Sequence, residues 1–286
     1  MIKIYYILLV VVILLFINQP TFEKITLKAN EIQNDGNLVC LSRQQTFVNQ
    51  DETYKYNLKM IDYLDKSSKS TNIFKKGKLS VKITENATND KENWNRFKNI
   101  IDYADKKNIF VWISVTTKKY FNQEVQYYND IINLGYNNIG LTLPTYYNIS
   151  NDILDNIIKN NGHIRLVKGY YYGDIKNWNK VTDNYYKLAC KLIESNNYHQ
   201  LATHDFNILK KLKKKYPNYL NNTEIGFFNF AKKHVEYNLK FFDNIPMKSY
   251  YLSFGNYFYY VKYNINKLDL KNIIKRRLNS IKYYSL

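Results

Sequence analysis

Cysteine is scarce in this chain: among 286 residues only Cys40 and Cys190 occur, and they are not in CxxC spacing. A cysteine-built zinc site and a disulfide scaffold are therefore not indicated. Also missing are GxGxxG, the P-loop, HExxH and GxSxG, which leaves the dinucleotide-fingerprint, nucleotide, zinc-peptidase and serine-hydrolase readings without an anchor. No compact RNA- or DNA-binding motif appears despite a formal charge of +18. The lysines run through the whole length among abundant Asn, Ile and Tyr, so the charge reads as compositional bias, and no nucleic-acid partner is expected. Internal repeats, low-complexity tracts and an obvious interdomain linker are lacking as well.

What is present is enough apolar material, 45% of residues, to bury one full core at the usual size of a barrel domain. At the N-terminus Ile4 to Ile17 is an unbroken apolar or aromatic run, preceded by Lys3 and closed by Gln19 and Pro20. Its length approaches a minimal membrane span and also suits the apolar part of a signal peptide. No small-residue cleavage site follows, so a retained anchor is preferred, then a cleaved signal, then an organellar targeting segment. The expected division is residues 1–20 as transmembrane anchor or signal, 21–36 as linker, and 37–286 as the folded domain. Membrane association would run through residues 1–20, with secretory and mitochondrial membranes not distinguished.

From residue 37 onward short β-branched or apolar runs alternate with longer stretches of helical period. The runs are Leu38 to Leu41, Leu79 to Ile83, Ile109 to Val115, Ile139 to Leu143, Ile164 to Val167, Gln200 to Thr203, Glu224 to Phe228 and Tyr250 to Leu252. Between them, Phe121, Val125, Tyr128 and Ile132 form one helical stripe and Tyr185, Leu188, Leu192 and Ile193 another. Ser150 to Asp152 and Thr182 with Asp183 offer N-caps, and Gly135 offers a stop. Eight strand–helix units predict an α/β fold, a closed (β/α)8 TIM-like barrel, although a doubly wound sheet gives a similar local pattern. Two more helices, Asn256 to Lys267 and Leu270 to Tyr283, give the barrel an extra C-terminal helix.

Such a barrel works at the C-terminal ends of its strands. There the sequence places Lys82, Ser114 to Thr117, Pro144 and Thr145, Arg165 with Lys168, Thr203 to Asp205, Gly226 and Tyr251. Arg165 and Lys168 lie in or beside an apolar strand, where an unpaired charge costs several kcal/mol. They need an anionic partner. Few carboxylates end these strands, so a phosphate or flavin is expected in preference to an Asp or Glu on a neighbouring strand.

These residues also resemble a known family. Arg165-Leu166-Val167-Lys168-Gly169-Tyr170-Tyr171-Tyr172 is similar to the R-L-V-K-G-A-Y signature of proline dehydrogenases. In the same order, Ser80-Val81-Lys82-Ile83-Thr84 resembles S-V-K-L-T, Asn138-Ile139-Gly140 follows, and Ala202-Thr203-His204-Asp205 resembles A-T-H-D. Tyr251-Leu252-Ser253-Phe254-Gly255 resembles Y-V-P-Y-G, and Tyr263 to Leu268 stands in place of a Y-x-x-R-R-L helix. The resemblance spans about residues 78 to 268. It implies an oxidoreductase that uses FAD to oxidise L-proline, or a similar cyclic amino acid, to pyrroline-5-carboxylate and passes electrons to a quinone-type acceptor. It further implies that Arg165, Val167, Lys168, Tyr172, Thr203 and His204 bind the cofactor. Lys82 and Lys267 would attend to the substrate carboxylate and Arg165 would sit by the reactive edge of the flavin, as catalytic residues together with Tyr171, Tyr251 and Tyr263 walling the ring.

The sequence also departs from that pattern. Ser114 to Lys118 replaces an acidic strand end, Pro144 and Gly226 replace two Gln, and Tyr170 replaces a small Ala. Asn266 and Lys267 stand where the family has an Arg pair, which removes a bidentate fork worth on the order of 2 kcal/mol. The alternative reading is accordingly a relative without catalysis that has a membrane-tethered structural or interaction role.

Overall fold

The computed structural model describes residues 21–43, 50–83, 89–115, 118–148, 150–168, 173–218, 221–228 and 247–254. Eight parallel strands close into a barrel in simple sequential order, each hydrogen-bonded to the next and β8 to β1. The strands are β1 (Leu38–Arg43), β2 (Lys78–Val81), β3 (Val111–Ile113), β4 (Ile139–Pro144), β5 (His163–Val167), β6 (His199–Ala202), β7 (Thr223–Phe228) and β8 (Lys248–Phe254). All eight coincide with predicted runs. β2 and β3 are shorter than expected, because the chain turns out of the sheet beyond Val81 and Ile113.

Seven helices are described: α1 (Phe22–Asn34), α2 (Gln50–Ser67), α3 (Asp90–Lys106), α4 (Lys118–Asn133), α5 (Ser150–Lys159), α6 (Trp178–Ser195) and α7 (Phe206–Lys215). Their apolar stripes meet the outward faces of the strands in one continuous core. In α4 the buried positions are Phe121, Glu124, Tyr127, Tyr128 and Ile131, a face rotated slightly from the predicted stripe. Gly135 ends that helix at φ +91°, a conformation that costs glycine little. The cap expected at Thr182 and Asp183 is not one. Helix α6 begins earlier, where the Asn177 side chain accepts from the backbone N–H groups of Asn179 and Lys180, and Thr182 bonds back to the Trp178 carbonyl inside the helix.

Residues 21–36, expected to be a linker, mostly form α1. Thr21 caps it by accepting from Lys24 N, and Ile25, Ala29 and Ile32 recur at helical spacing and are buried against β1 and β8. These three apolar residues gave too short a stripe to stand out in an otherwise polar segment. In a barrel of repeating strand–helix units the helix after β8 would cover this seam; here a helix before β1 covers it. Helix α1 lies beside α2 and runs the same way: Phe22 meets Tyr56, Tyr63 bonds the Thr26 carbonyl and Asn30, and Gln33 bonds Ser67. Thr21 is therefore level with the C-terminal ends of the strands.

Inside the barrel the lining alternates with the outward apolar residues at every second position. Cys40, Phe110, Trp112 and Tyr198 form a separate small cluster with Phe74, Met247 and Tyr251. Phe74, from a short turn before β2, plugs the N-terminal end by stacking on Tyr198 at 4.1 Å between ring centroids. Gly140 leaves room for the indole: a Cβ there would lie 2.3 Å from Trp112 Cζ3. The predicted helices within 256–283, and residues 1–20, fall outside the described residues.

Candidate functional site at the mouth of the barrel

Among the described residues two cations are buried inside the barrel, and the structure treats them differently. Lys78, at the start of β2, is fully buried, and its Nζ lies 2.7 Å from Glu224 Oε2 across the barrel. It also donates to the carbonyls of Phe74 and Lys76 at 3.0 and 3.2 Å. Glu224 accepts in addition from Tyr198 Oη at 2.5 Å and from Gln200 Nε2, whose amide also donates to Ser249 Oγ at 3.0 Å. Burial pushes the Glu224 carboxyl upward, but the charge of Lys78 and the hydrogen bonds of Lys78, Ser249 and Tyr198 win and hold it below the ordinary carboxylate range. This network is closed and neutral.

Arg165, in the middle of β5, is the other cation. Its Nε donates to Thr142 Oγ1 at 2.9 Å, and its Nη2 donates to Ser80 Oγ and Ser114 Oγ, both at 2.9 Å. Its Nη1 lies 3.7 Å from Cys40 Sγ. The guanidinium carbon sits 5.7 Å from the Trp112 ring centre and 6.0 Å from that of Tyr251. Every one of these neighbours is neutral. Burial pushes the Cys40 thiol up to about 11 despite the nearby guanidinium, so it supplies no thiolate. Burial likewise raises the Tyr251 phenol, against the opposing charges of Arg165 and Lys82. Among the described residues no carboxylate pairs with Arg165. Among the described residues the five N–H donors of the guanidinium meet four acceptors, one of them a weak sulfur acceptor.

Lys168 contradicts the expectation that both basic residues of β5 await a ligand. Its Nζ forms an ion pair with Asp205 Oδ2 and lies 4.8 Å from the centre of the Trp178 ring. The partner is the residue just past the next strand, the neighbouring carboxylate that the sequence reading had ranked second. Asp205 works twice, since its Oδ1 also caps α7 by accepting from Asn207 and Ile208. Thr203 Oγ1 accepts from Asp205 N at 3.0 Å, and His204 Nε2 accepts from Phe228 N at 3.0 Å, tying the end of β6 to the end of β7. In that bond Nε2 is the unprotonated ring nitrogen.

The predicted residues thus fall into three sets. Lys82, Arg165 and Tyr251 gather at the mouth: Lys82 is half-buried just past β2, and its charge acts on Tyr251. Val167, Lys168, Thr203 and His204 follow the rim from β5 to β7, where Val167 pairs in register with Pro144 and Ala202. Tyr171, Tyr172, Tyr263 and Lys267 lie outside the described residues, as do Tyr170 and Asn266. Sequence reasoning missed Thr142 and Cys40 as partners of Arg165, and it missed the whole Lys78–Glu224 network. A period-2 search for small or polar residues within the apolar runs would have found both, since Lys78, Ser80 and Lys82 alternate along one face.

Gly226 opens space that another side chain fills. A Cβ there would lie 3.0 Å from Gln200 Cδ, so the amide absent at 226 leaves room for the amide of Gln200 beneath the mouth.

No family model and no curated protein matches the chain. Solved structures do match. A point mutant of Bradyrhizobium japonicum proline utilization A superposes with a TM-score of 0.68 at 14% identity, over 82% of this chain and 28% of that one. The Bdellovibrio bacteriovorus protein of the same name, inactivated by N-propargylglycine, gives 0.70 at 13% identity over 82% and 30%. A third, with proline bound in remote sites, gives 0.64 at 13% over 77% and 26%. The chain has the barrel fold found in proline utilization A. It spans less than a third of the length of those proteins, and at such identity the likeness is one of fold.

Proposed function

We propose that this chain is an FAD-dependent oxidoreductase of the proline dehydrogenase type, acting on L-proline or a similar cyclic amino acid and passing electrons to a quinone-type acceptor. The observation that carries this reading is Arg165, a buried guanidinium held by neutral hydroxyls and a thiol. A fold gains little from such a charge, and a barrel mouth that binds an electron-rich or anionic group gains much. The residues present fit a flavin on this test. Arg165 would face its reactive part, Val167 and the rim at Thr203 and His204 would flank it, and Lys168, already neutralised by Asp205, would contribute through its backbone and position. When bound, FAD supplies the hydride acceptor. The chain's own task is then to orient the substrate and exclude water: Lys82 offers a cation at the mouth and Tyr251 a protonated, apolar wall. Membrane association through residues 1–20 belongs to the same proposal.

A second reading, a relative without catalysis, is favoured by a different observation: Lys168, Thr203 and His204 all have partners within the chain. The two readings separate in one experiment. The full chain is reconstituted with FAD and its visible spectrum recorded before and after anaerobic addition of proline. A bound flavin that bleaches is the expected result; no retained flavin would establish the second reading.

A further inference from the structure

We infer that the C-terminal, catalytic face of the barrel lies against a lipid bilayer, with Trp178 and Phe228 seated in the interfacial zone. The inference rests on the reading of residues 1–20 as a membrane segment and is independent of the flavin. Its first support is where the described chain begins. Thr21 stands level with the C-terminal ends of the strands, at the β1–β8 seam, because α1 runs parallel to α2. Only three residues, Asn18 to Pro20, separate Thr21 from Ile17, the end of the apolar run. Fully extended, the four Cα–Cα steps from Ile17 to Thr21 reach about 14 Å.

The second support is what that face exposes. Trp178 is 57% exposed at the start of α6, and Phe228 is 39% exposed at the end of β7. Both are aromatic, the residue class that settles at membrane–water interfaces. Trp178 follows β5, across the barrel from the β1–β8 seam, and Phe228 stands near the seam. A tether at the seam with both rings at lipid depth requires the whole face to lie parallel to the bilayer. Among the described residues the other exposed large apolar side chains are aliphatic: Leu27 is on the flank of α1, and Leu134 is at the opposite end of the barrel.

Charge argues for the opposite orientation and is outweighed. Lys66, Lys106, Lys159 and Lys213 to Lys215 close helices at the far end, where each would be attracted to an anionic surface. Helix α1 is 13 residues, about 20 Å, long. With the far end on the membrane, Thr21 would stand that far above it, beyond the reach of the three-residue tether.

The test uses the full chain in phosphatidylcholine vesicles carrying lipid spin-labelled near the headgroup. Both native cysteines are buried, so a fluorophore can be placed selectively on Lys119→Cys, at the start of α4 on the catalytic face, or on Lys214→Cys at the far end. Strong quenching at position 119 and of Trp178 emission, with position 214 unaffected, is the expected result. Quenching at 214, equal quenching at both positions, or no association with vesicles would each overturn the inference.

Discussion

Two buried cations in one barrel allow a direct comparison. Lys78→Met would remove the partner of a fully buried carboxylate and leave Glu224 with only neutral donors, which costs about 3–5 kcal/mol when a buried pair is broken. Arg165→Met strands no charge among the described residues. It forfeits three hydrogen bonds to hydroxyls, each worth about 1.5–3 kcal/mol with a charged donor, and returns the several kcal/mol spent on burying a lone cation. The two contributions nearly cancel, so stability should change by less than about 2 kcal/mol in either direction. Urea unfolding followed by far-ultraviolet circular dichroism reads both variants. A lower midpoint at unchanged slope is expected for Lys78→Met and a midpoint close to that of the parent for Arg165→Met. If Arg165→Met loses as much as Lys78→Met, the guanidinium is a structural strut, and the argument that it is kept for a ligand fails.

Other expectations follow from the same geometry. Burial pushes His199 down to about 3, with its Nδ1 accepting from Ile164 N, so the neutral ring is favoured in the fold. Its contribution is complete above the ordinary value near 6.5 and is lost as pH falls toward 3, which predicts a loss of about 2 kcal/mol between pH 7 and pH 5. Urea midpoints at the two pH values measure it, and His199→Asn should flatten the difference. Glu224, held low, contributes above its ordinary value of 4.5 and loses that contribution on further acidification; Glu224→Gln should abolish that acid limb of the stability profile. Gly140→Ala drives a methyl into the Trp112 ring and should cost about 1–3 kcal/mol, with a change in tryptophan near-ultraviolet dichroism.

The barrel was legible in the sequence because its outer core obeys periodicity: runs such as Ile139 to Leu143 and stripes such as Tyr185, Leu188 and Leu192 face each other over a buried interface. The polar lining was not, because its pairs join residues far apart in the chain. Lys78 and Glu224 meet only after six further strands close the circle, and Lys168 reaches Asp205 across one complete helix. Local reading also misplaced the start of α6, since Thr182 and Asp183 look like caps but follow Asn177, a cap that bonds two backbone N–H groups. The Arg165 expectation rests on an absence that spacing does reveal, a strand interior with a cation and few carboxylates to meet it, and among the described residues none pairs with it.

The central claim is that this guanidinium, which meets no carboxylate among the described residues, is held for an electron-rich ligand at the mouth. The most direct test is equilibrium binding of FAD to the full chain and to Arg165→Met, followed by flavin fluorescence, with folding of both checked by circular dichroism. The account predicts binding by the parent chain and a loss of at least tenfold in affinity, about 1.4 kcal/mol, in the variant. Equal affinity in two folded proteins, or no binding by the parent, would contradict it.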